Sequence, residues 1–243
     1  MPSALLRRED LLEKIDRSLV PRHIAVIMDG NGRWAKKRGL PRLLGHKAGA
    51  DSVREAVKVC GELGVQVLTL YAFSTENWSR PKSEVKGLMA LLVRTLRREA
   101  DELNANNVRL RASGRLEALP ADVRRELDRS IDRLSGNTGL ILNLALNYGG
   151  RGDIVDAVNA LLKAGAVSVT EEDIAAHLST AGLPDPDLLI RTSGEYRISN
   201  FLLWQCAYAE FHITPVLWPD FRRQQLYQAV LDYQSRDRRF GGI

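Results

Sequence analysis

His23-Ile24-Ala25-Val26-Ile27-Met28-Asp29-Gly30-Asn31-Gly32-Arg33-Trp34 is the stretch that decides how this chain folds. From Ile24 to Met28 it is apolar on successive residues, the pattern of a strand covered on both faces. A carboxylate, two glycines and an arginine follow, and the strand leads on into a helix. Asn31-Gly32 alone is a hairpin signal, but nothing here turns back along the strand. Working outward from this first strand, His23–Asp29, similar runs occupy Val67–Phe73, Val108–Ser113, Leu140–Asn147, Leu188–Thr192 and Phe211–Thr214. Helical spacing fills the intervals at 48–63, 83–104, 121–134, 152–164, 171–178 and 222–235. In 48–63, for example, Val53, Ala56, Val57, Cys60 and Leu63 share one stripe. The alternation predicts an α/β fold, a single domain with a mainly parallel central sheet of about six strands and helices on both faces. Ligands of such sheets bind beyond the carboxyl ends of the strands.

Composition removes several classes of protein. A hydrophobic content of 44% is too high for a disordered chain. Cys60 and Cys206 have neither CxxC spacing nor nearby histidines, which argues against a disulfide framework or a zinc site and for buried thiols in a reducing compartment. The first residues turn charged at Arg7 before a signal-peptide core forms, and the longest apolar run, Leu88–Val93, is far short of the roughly 18 residues of a membrane span. The expectation is a soluble, cytoplasmic protein.

The formal charge of +5 admits nucleic acid, a membrane surface or a phosphorylated small molecule as partner. Placement discriminates among them. Residues 32–47 hold Arg33, Lys36, Lys37, Arg38, Arg42 and Lys47 without a single acid, which alone reads as no more than a solvated basic face. At the end of the first strand, however, Asp29 suits a hard cation such as Mg²⁺. Gly30 and Gly32 let backbone N–H groups approach an anion, and Arg33 offers a planar fork to phosphate oxygens. The second strand ends in Ser74-Thr75-Glu76-Asn77-Trp78-Ser79-Arg80, where Glu76 or Ser79 also serves as a helix cap. The fifth runs into Arg191-Thr192-Ser193-Gly194-Glu195-Tyr196-Arg197-Ile198-Ser199. Three strand ends bearing arginines converge in one sheet, and arginine without lysine suits a diphosphate more than a polymer surface.

Other phosphate motifs fail. Gly45-His46-Lys47-Ala48 is no P-loop, and Gly150-Arg151-Gly152 lacks the third glycine of a dinucleotide fingerprint, so Asn147–Gly152 reads as strand-to-helix geometry. HExxH, GxSxG and DDxxD are all absent from the sequence.

Taken together, the segments 23–34, 45–49, 71–78, 147–151, 187–205 and 207–219 resemble, in order, those of the cis-prenyltransferase family, whose type is undecaprenyl diphosphate synthase. The resemblance covers roughly residues 20–242. It implies a Mg²⁺-dependent enzyme that adds isopentenyl diphosphate to an allylic primer, usually farnesyl diphosphate, with cis double bonds. By that resemblance Asp29 holds Mg²⁺ and Glu210 adds a ligand to it. Gly30, Asn31, Gly32, Arg33 and Trp34, with Arg42, His46 and Arg80, bind the primer's diphosphate end. Arg191, Arg197, Ile198 and Ser199 bind isopentenyl diphosphate. Ser74, Thr75, Glu76, Asn77 and Trp78 line the reacting ends. Asn77 is described in the family as a proton acceptor, but a neutral amide is a very poor base, so positioning is the easier chemical role. Tyr196 and Ser193 stand where histidine and glycine are frequent.

An elongating hydrocarbon needs a dry channel, and Leu91 and Val93 widen the apolar surface of 83–104 beyond one packing stripe. This helix, with 121–134 or 48–63, is expected to wall a hydrophobic tunnel. A helix simply buried on two sides is the plainer alternative. The resemblance also makes Arg239 and Gly241 a C-terminal tail reaching a partner subunit of a homodimer. The organisation expected is a helical arm over 1–20 and a catalytic domain over 21–243. The product favoured is undecaprenyl diphosphate, a carrier lipid for cell-wall synthesis. A shorter or decaprenyl-type product and a non-catalytic partner subunit of the same fold are the alternatives. No nucleic-acid partner is expected, and contact with the inner face of the membrane is at most peripheral.

Overall fold

The computed structural model describes residues 11–237. Six strands, β1 (His23–Ile27), β2 (Val67–Ser74), β3 (Arg109–Ser113), β4 (Ile141–Tyr148), β5 (Leu188–Arg191) and β6 (Glu210–Ile213), form one sheet in the order β3-β4-β2-β1-β5-β6. Every neighbouring pair is parallel. Each strand expected from the sequence is present within one or two residues; the central strands β1 and β5 are buried throughout and apolar on successive residues, while the edge strands β3 and β6 are mixed. The helices are α1 (Asn31–Lys37), α2 (Arg42–Leu63), α3 (Lys82–Ala105), α4 (Ala121–Leu134), α5 (Gly150–Lys163), α6 (Glu171–His177) and α7 (Arg223–Gln234). Helix α2 begins six residues before the segment read from its apolar stripe, since its first turns are basic and glycine-bearing.

The strand order has a switch point. From β1 the chain moves to β2 on one side, and after β4 it returns to place β5 on the other side of β1. The crevice of a doubly wound sheet opens there, beyond the carboxyl ends.

The two sheet faces differ in chemistry. Ile24, Val26, Leu68, Leu70, Leu142, Leu144, Leu188 and Ile190 join one apolar cluster with residues of α2, α3, α4 and α7. On the other face a polar chain crosses four strands. His23 Nε2 lies 2.8 Å from Thr69 Oγ1, Asn143 Nδ2 donates to the same oxygen at 3.3 Å, and Ser113 Oγ donates to Asn143 Oδ1 at 3.0 Å. The segment before β5 roofs this chain, with the carbonyls of Ser179 and Pro184 as partners. Leu11 and Ile15 pack into the first cluster, so the described part of the expected N-terminal arm belongs to the core. Residues 1–10 of that arm, and Arg239 and Gly241 of the expected tail, lie outside the described residues.

Helices α1 and α2 approach very closely. A Cβ on Gly45 would fall 2.0 Å from the Asn31 carbonyl oxygen, and one on Gly49 would fall 2.5 Å from Asn31 Oδ1. The glycines of Gly45-His46-Lys47-Ala48-Gly49 therefore let the helix that follows Asp29 lie down on α2. Cys60 and Cys206 are free and buried.

Candidate active site

Asp29 closes β1 at the switch point. Its Oδ2 accepts from Arg191 Nη2 at 2.9 Å and lies 3.4 Å from Arg33 Nη2, while Oδ1 accepts from the Gly30 N–H at 2.6 Å. Burial opposes ionisation of this carboxyl, but the bond and charge of Arg191, the Gly30 N–H and the charge of Arg33 outweigh it and hold it below the usual carboxylate range. Its backbone oxygen is fixed by Thr192 Oγ1 at 2.6 Å and the Trp218 N–H at 2.9 Å. Gly30 then turns the chain at φ +102°, and a Cβ there would lie 2.9 Å from Leu217 Cδ2. The first intrahelical bond runs from Trp34 N to Gly30 O, so the N–H groups of Asn31, Gly32 and Arg33 have no partner inside α1.

Arg191 ends β5 with 3% exposure. Besides Asp29 it binds Ser199 Oγ at 2.8 Å and the Arg197 carbonyl, which gathers the 192–200 loop around it. That loop holds Ser193, Ser199 and Asn200 at positive φ. Ser193 at φ 75° occupies a conformation that glycine adopts freely, which gives a physical reason for glycine being frequent there. Its hydroxyl accepts from Arg33. Arg33 and Arg197 share Glu195, at 3.0 and 2.6 Å.

A second basic cluster faces this one. Arg80 Nη1 and Arg42 Nε meet Glu84 Oε1 at 3.0 and 3.6 Å. His46 sits beside them, and burial, reinforced by Arg80 and Arg42, lowers its pKa to about 4, so it is neutral at pH 7. The buried polar atoms His46 Nε2, Asn31 Oδ1 and Arg191 Nε have no hydrogen-bond partner among the described residues. All three side chains line one cavity of about 1090 Å³ together with Asp29, Ser74, Glu76, Asn77, Arg80 and Ser199.

The cavity continues from these polar groups along the apolar sheet face. Leu70, Leu142 and Leu144 form its floor, α2 and α3 its sides, and Val108 and Leu140 lie at its far end, near the amino ends of β3 and β4. Of the two helices proposed as second wall, the structure selects 48–63. No residue of 121–134 lines the cavity. Leu91 and Leu92 both face it.

The turn after β2 is built by a bulge and a capping box. Register shifts between Tyr71 and Ser74 re-aim the strand end. Asn77 Oδ1 then accepts from the Ser74 N–H at 3.3 Å, so this amide fixes the turn. Trp78 packs on Phe73 and donates to Asn147 Oδ1 at 2.7 Å, and Glu76 accepts from Asn200 Nδ2 at 2.9 Å, joining the turn to the Arg191 loop. Thr75 lies on the other side of the turn, in a separate cleft with Gly149 and Asp153.

Three of the expected site residues have their side chains placed away from this cavity. Trp34 turns away from the cavity, with Nε1 on Asp220 Oδ1 at 2.7 Å and Arg38 stacked 4.0 Å over its ring. Ile198 packs beneath the sheet against the cluster of Phe201 and Leu202. Glu210 opens β6 level with Leu188 and hence with Ile24, towards the opposite end of the sheet from Asp29, and its carboxylate holds Arg236 at 2.5 Å. Sequence reasoning missed Glu84, Glu195 and Thr192; Arg80 lies in extended backbone before the helix that carries Glu84, so no helix-face spacing announced that pair.

The Asp29 carboxylate, which lines the cavity, would offer a divalent cation one ligand. Among the described residues no three ligating side chains gather around a common point. This fits Mg²⁺, which keeps waters and completes its shell from substrate phosphates.

Comparison with known proteins agrees with this geometry. Residues 27–241 match the prenyltransferase family model of undecaprenyl diphosphate synthases. An isoprenyl transferase of Heliobacterium mobile is 54% identical over 96% of this chain and 92% of its own, and one of Chromobacterium violaceum 56% identical over 91% and 88%. Among solved structures, lavandulyl diphosphate synthase from Lavandula x intermedia, in complex with dimethylallyl diphosphate, superposes with a TM-score of 0.88 at 36% identity, covering 92% of this chain and 99% of that one. A probable undecaprenyl diphosphate synthase from Campylobacter jejuni gives 0.78 at 34%, covering 91% and 98%.

Proposed function

The chain belongs to the undecaprenyl diphosphate synthase family of prenyltransferases, and we propose that it condenses isopentenyl diphosphate in cis onto farnesyl diphosphate until undecaprenyl diphosphate is made. The observation that carries this reading is one continuous cavity that begins at the Asp29–Arg191 pair and runs along a leucine-lined sheet face to its opposite end. A short product would need only the first part of it.

In this reading the primer's diphosphate takes the place now held by the Glu84 carboxylate on Arg42 and Arg80, against His46 and the N–H groups of α1. Isopentenyl diphosphate lies on Arg191, Arg197 and Ser199, whose loop strain holds those groups in place. When the allylic C–O bond ionises, charge gathers on the departing group, and arginines already aimed there stabilise it without reorganising. Magnesium bound by Asp29 and phosphate oxygens would add Lewis-acid neutralisation of that charge. Asn77 holds the turn and orients the reacting ends, and the proton lost from the condensed product passes to a phosphate oxygen or to Asp29, each a better base than an amide. The growing chain moves into the cavity, where its apolar carbons leave water.

Residues 21–243 act as the catalytic domain of a homodimer and residues 1–20 as an arm. Strand β6 is a sheet edge carrying Phe211 at 43% exposure, with Tyr208 and Tyr196 exposed nearby, and such an edge needs a cover. Arg236, the last arginine before the tail, binds Glu210 and the Phe211 carbonyl, so the chain leaves the fold beside that edge. We place the enzyme in the cytoplasm at the inner face of the membrane, where a carrier lipid for cell-wall synthesis would be used.

The test is incorporation of radiolabelled isopentenyl diphosphate with farnesyl diphosphate and Mg²⁺, with products resolved by chain length. Undecaprenyl-length product is expected. Lack of incorporation refutes the reading, and products of one or two additions reassign the chain to a short-chain role.

A further inference from the structure

Beyond the strand-end cluster, five charged side chains line a cavity otherwise built for hydrocarbon: Glu62 of α2 and the four considered next. Arg54 and Lys58 come from α2, Glu99 and Glu102 from α3. Arg54 donates from Nε and Nη2 to the two Glu99 oxygens at 3.0 and 2.9 Å, and from Nη1 to Asp51 at 3.0 Å. Glu102 lies 3.7 Å from both Arg54 and Lys58, and Arg98 also holds Glu99 at 2.7 Å.

The exposure of these groups is informative. The side chains of Arg54, Lys58, Glu99 and Glu102 are 33, 47, 15 and 42% exposed, yet all four face the cavity. Asp51 and Arg98, which hold Arg54 and Glu99 from outside the cavity lining, are 60 and 55% exposed, so between α2 and α3 the wall is one side chain thick. Nearer the sheet, Val53, Val57, Leu92 and Leu96 do the walling.

A wall meant to stay shut gains nothing from charges, because paired ions replaced by packed apolar groups leave a protein as stable or more so. Ion pairs differ from leucines in what parting costs. Arg54, a third exposed, and the Lys58–Glu102 pair, nearly half exposed, can part towards water at modest cost, whereas two apolar rows would be left wet. The bidentate fork also fixes the closed state in one geometry.

The geometry points to a clasp: Arg54–Glu99, with Lys58–Glu102 beside it, closes a seam between α2 and α3 that opens to let a finished polyprenyl chain leave sideways. This rests on the elongation reading above. The seam spares the product from being drawn back out past the arginine cluster, where its apolar carbons would cross charged groups one after another.

Arg54→Ala should raise steady-state turnover at least threefold while the single-turnover rate of the first condensation stays as in the wild type. Arg54→Glu with Glu99→Arg should return turnover to the wild-type value. Arg54→Cys with Glu99→Cys, joined by a short reducible bis-thiosulfonate, should form one chain per site and stop until reductant is added. The native thiols are buried and do not compete. A linked protein that turns over at the unlinked rate overturns the clasp, as does Arg54→Ala with unchanged turnover. Wild type that incorporates nothing refutes the elongation reading instead, and the clasp falls with it.

Discussion

Asp29→Asn tests whether the strand-end carboxylate is a counter-charge as well as a metal ligand. Arg191 is 3% exposed and its closest anionic partner is Asp29 at 2.9 Å. The substitution leaves that guanidinium with neutral acceptors only, Ser199 Oγ and the Arg197 carbonyl. Breaking a fully buried pair costs about 3–5 kcal/mol. The Asp29 side chain is 30% exposed and asparagine keeps an acceptor, so about 2 kcal/mol is expected, or about 4–8 °C in Tm for a chain of this size. The pH dependence follows from the depressed carboxyl. A group held lower in the fold contributes above its unfolded value of 3.8 and loses that contribution as pH falls through the folded one, so wild type and variant should differ fully at pH 7 and converge only in strong acid.

The second consequence concerns anions. Arg33, Arg191 and Arg197 are balanced by Asp29 and Glu195, so removal of one acid adds a positive charge to the cluster. Without magnesium, inorganic pyrophosphate should raise the Tm of Asp29→Asn more than that of the wild type. With magnesium the order should reverse, because only the wild type retains the carboxylate. Calorimetric melts with and without pyrophosphate and Mg²⁺ are the assay. An unchanged Tm would show that Arg191 does not depend on Asp29, and a magnesium gain equal in both proteins would remove Asp29 from the metal.

Leu92→Trp, on the cavity side of α3, should shorten the product while sparing the rate of the first condensation; unchanged product length would count against the tunnel. Gly45→Ala places a methyl 2.0 Å from the Asn31 carbonyl and should cost about 1–3 kcal/mol and raise KM for the allylic primer, since α1 must shift; normal melting and kinetics would contradict the close approach. His23 is held neutral, burial lowering its pKa from 6.5 to about 4, so the unfolded chain takes up a proton that the fold refuses. Stability should therefore fall as pH drops from 6.5 towards 4, by about 2 kcal/mol at pH 5, and His23→Gln should flatten urea midpoints over that range. Lys36, Lys37 and Lys47 are exposed beside Leu40 and Leu44, and alanine at each should weaken binding to anionic vesicles by about 1 kcal/mol, with neutral vesicles as the control.

The central strands were legible because a parallel strand buried on both faces is apolar on successive residues, as β1 and β5 are. The polar chain from His23 to Ser113 was not, since its members lie on four separate strands and meet only once the register is set. Convergence of Arg33, Arg80 and Arg191 followed from the rule that ligands sit beyond strand carboxyl ends. The same rule places Glu210, at the start of its strand, towards the opposite end of the sheet, so its separation from Asp29 within the chain was already legible. Trp34 was beyond sequence reasoning. Its direction depends on where α1 starts, and that depends on Gly30 turning at positive φ and on Gly45 admitting the Asn31 carbonyl. The clasp was invisible for a similar reason: Arg54 and Glu99 look like ordinary solvated helix positions until α2 and α3 are seen to leave a cavity between them.

The net charge of +5 says little about the site, because the arginines there are already answered. Arg33 and Arg197 hold Glu195, Arg191 holds Asp29, and Arg42 and Arg80 hold Glu84. Binding a diphosphate is therefore an exchange of carboxylate for phosphate and not the filling of a bare positive hole. Such an exchange favours an anion that offers several oxygens within a few ångströms, which a diphosphate does and a lone carboxylate does not. His46 sharpens the preference. It sits neutral between Arg42 and Arg80, and an arriving phosphate would raise its depressed pKa, drawing a proton into the site with the substrate. Affinity for the primer's diphosphate should then carry a proton-uptake component that His46→Gln removes, readable as a buffer-dependent heat of binding that the variant lacks.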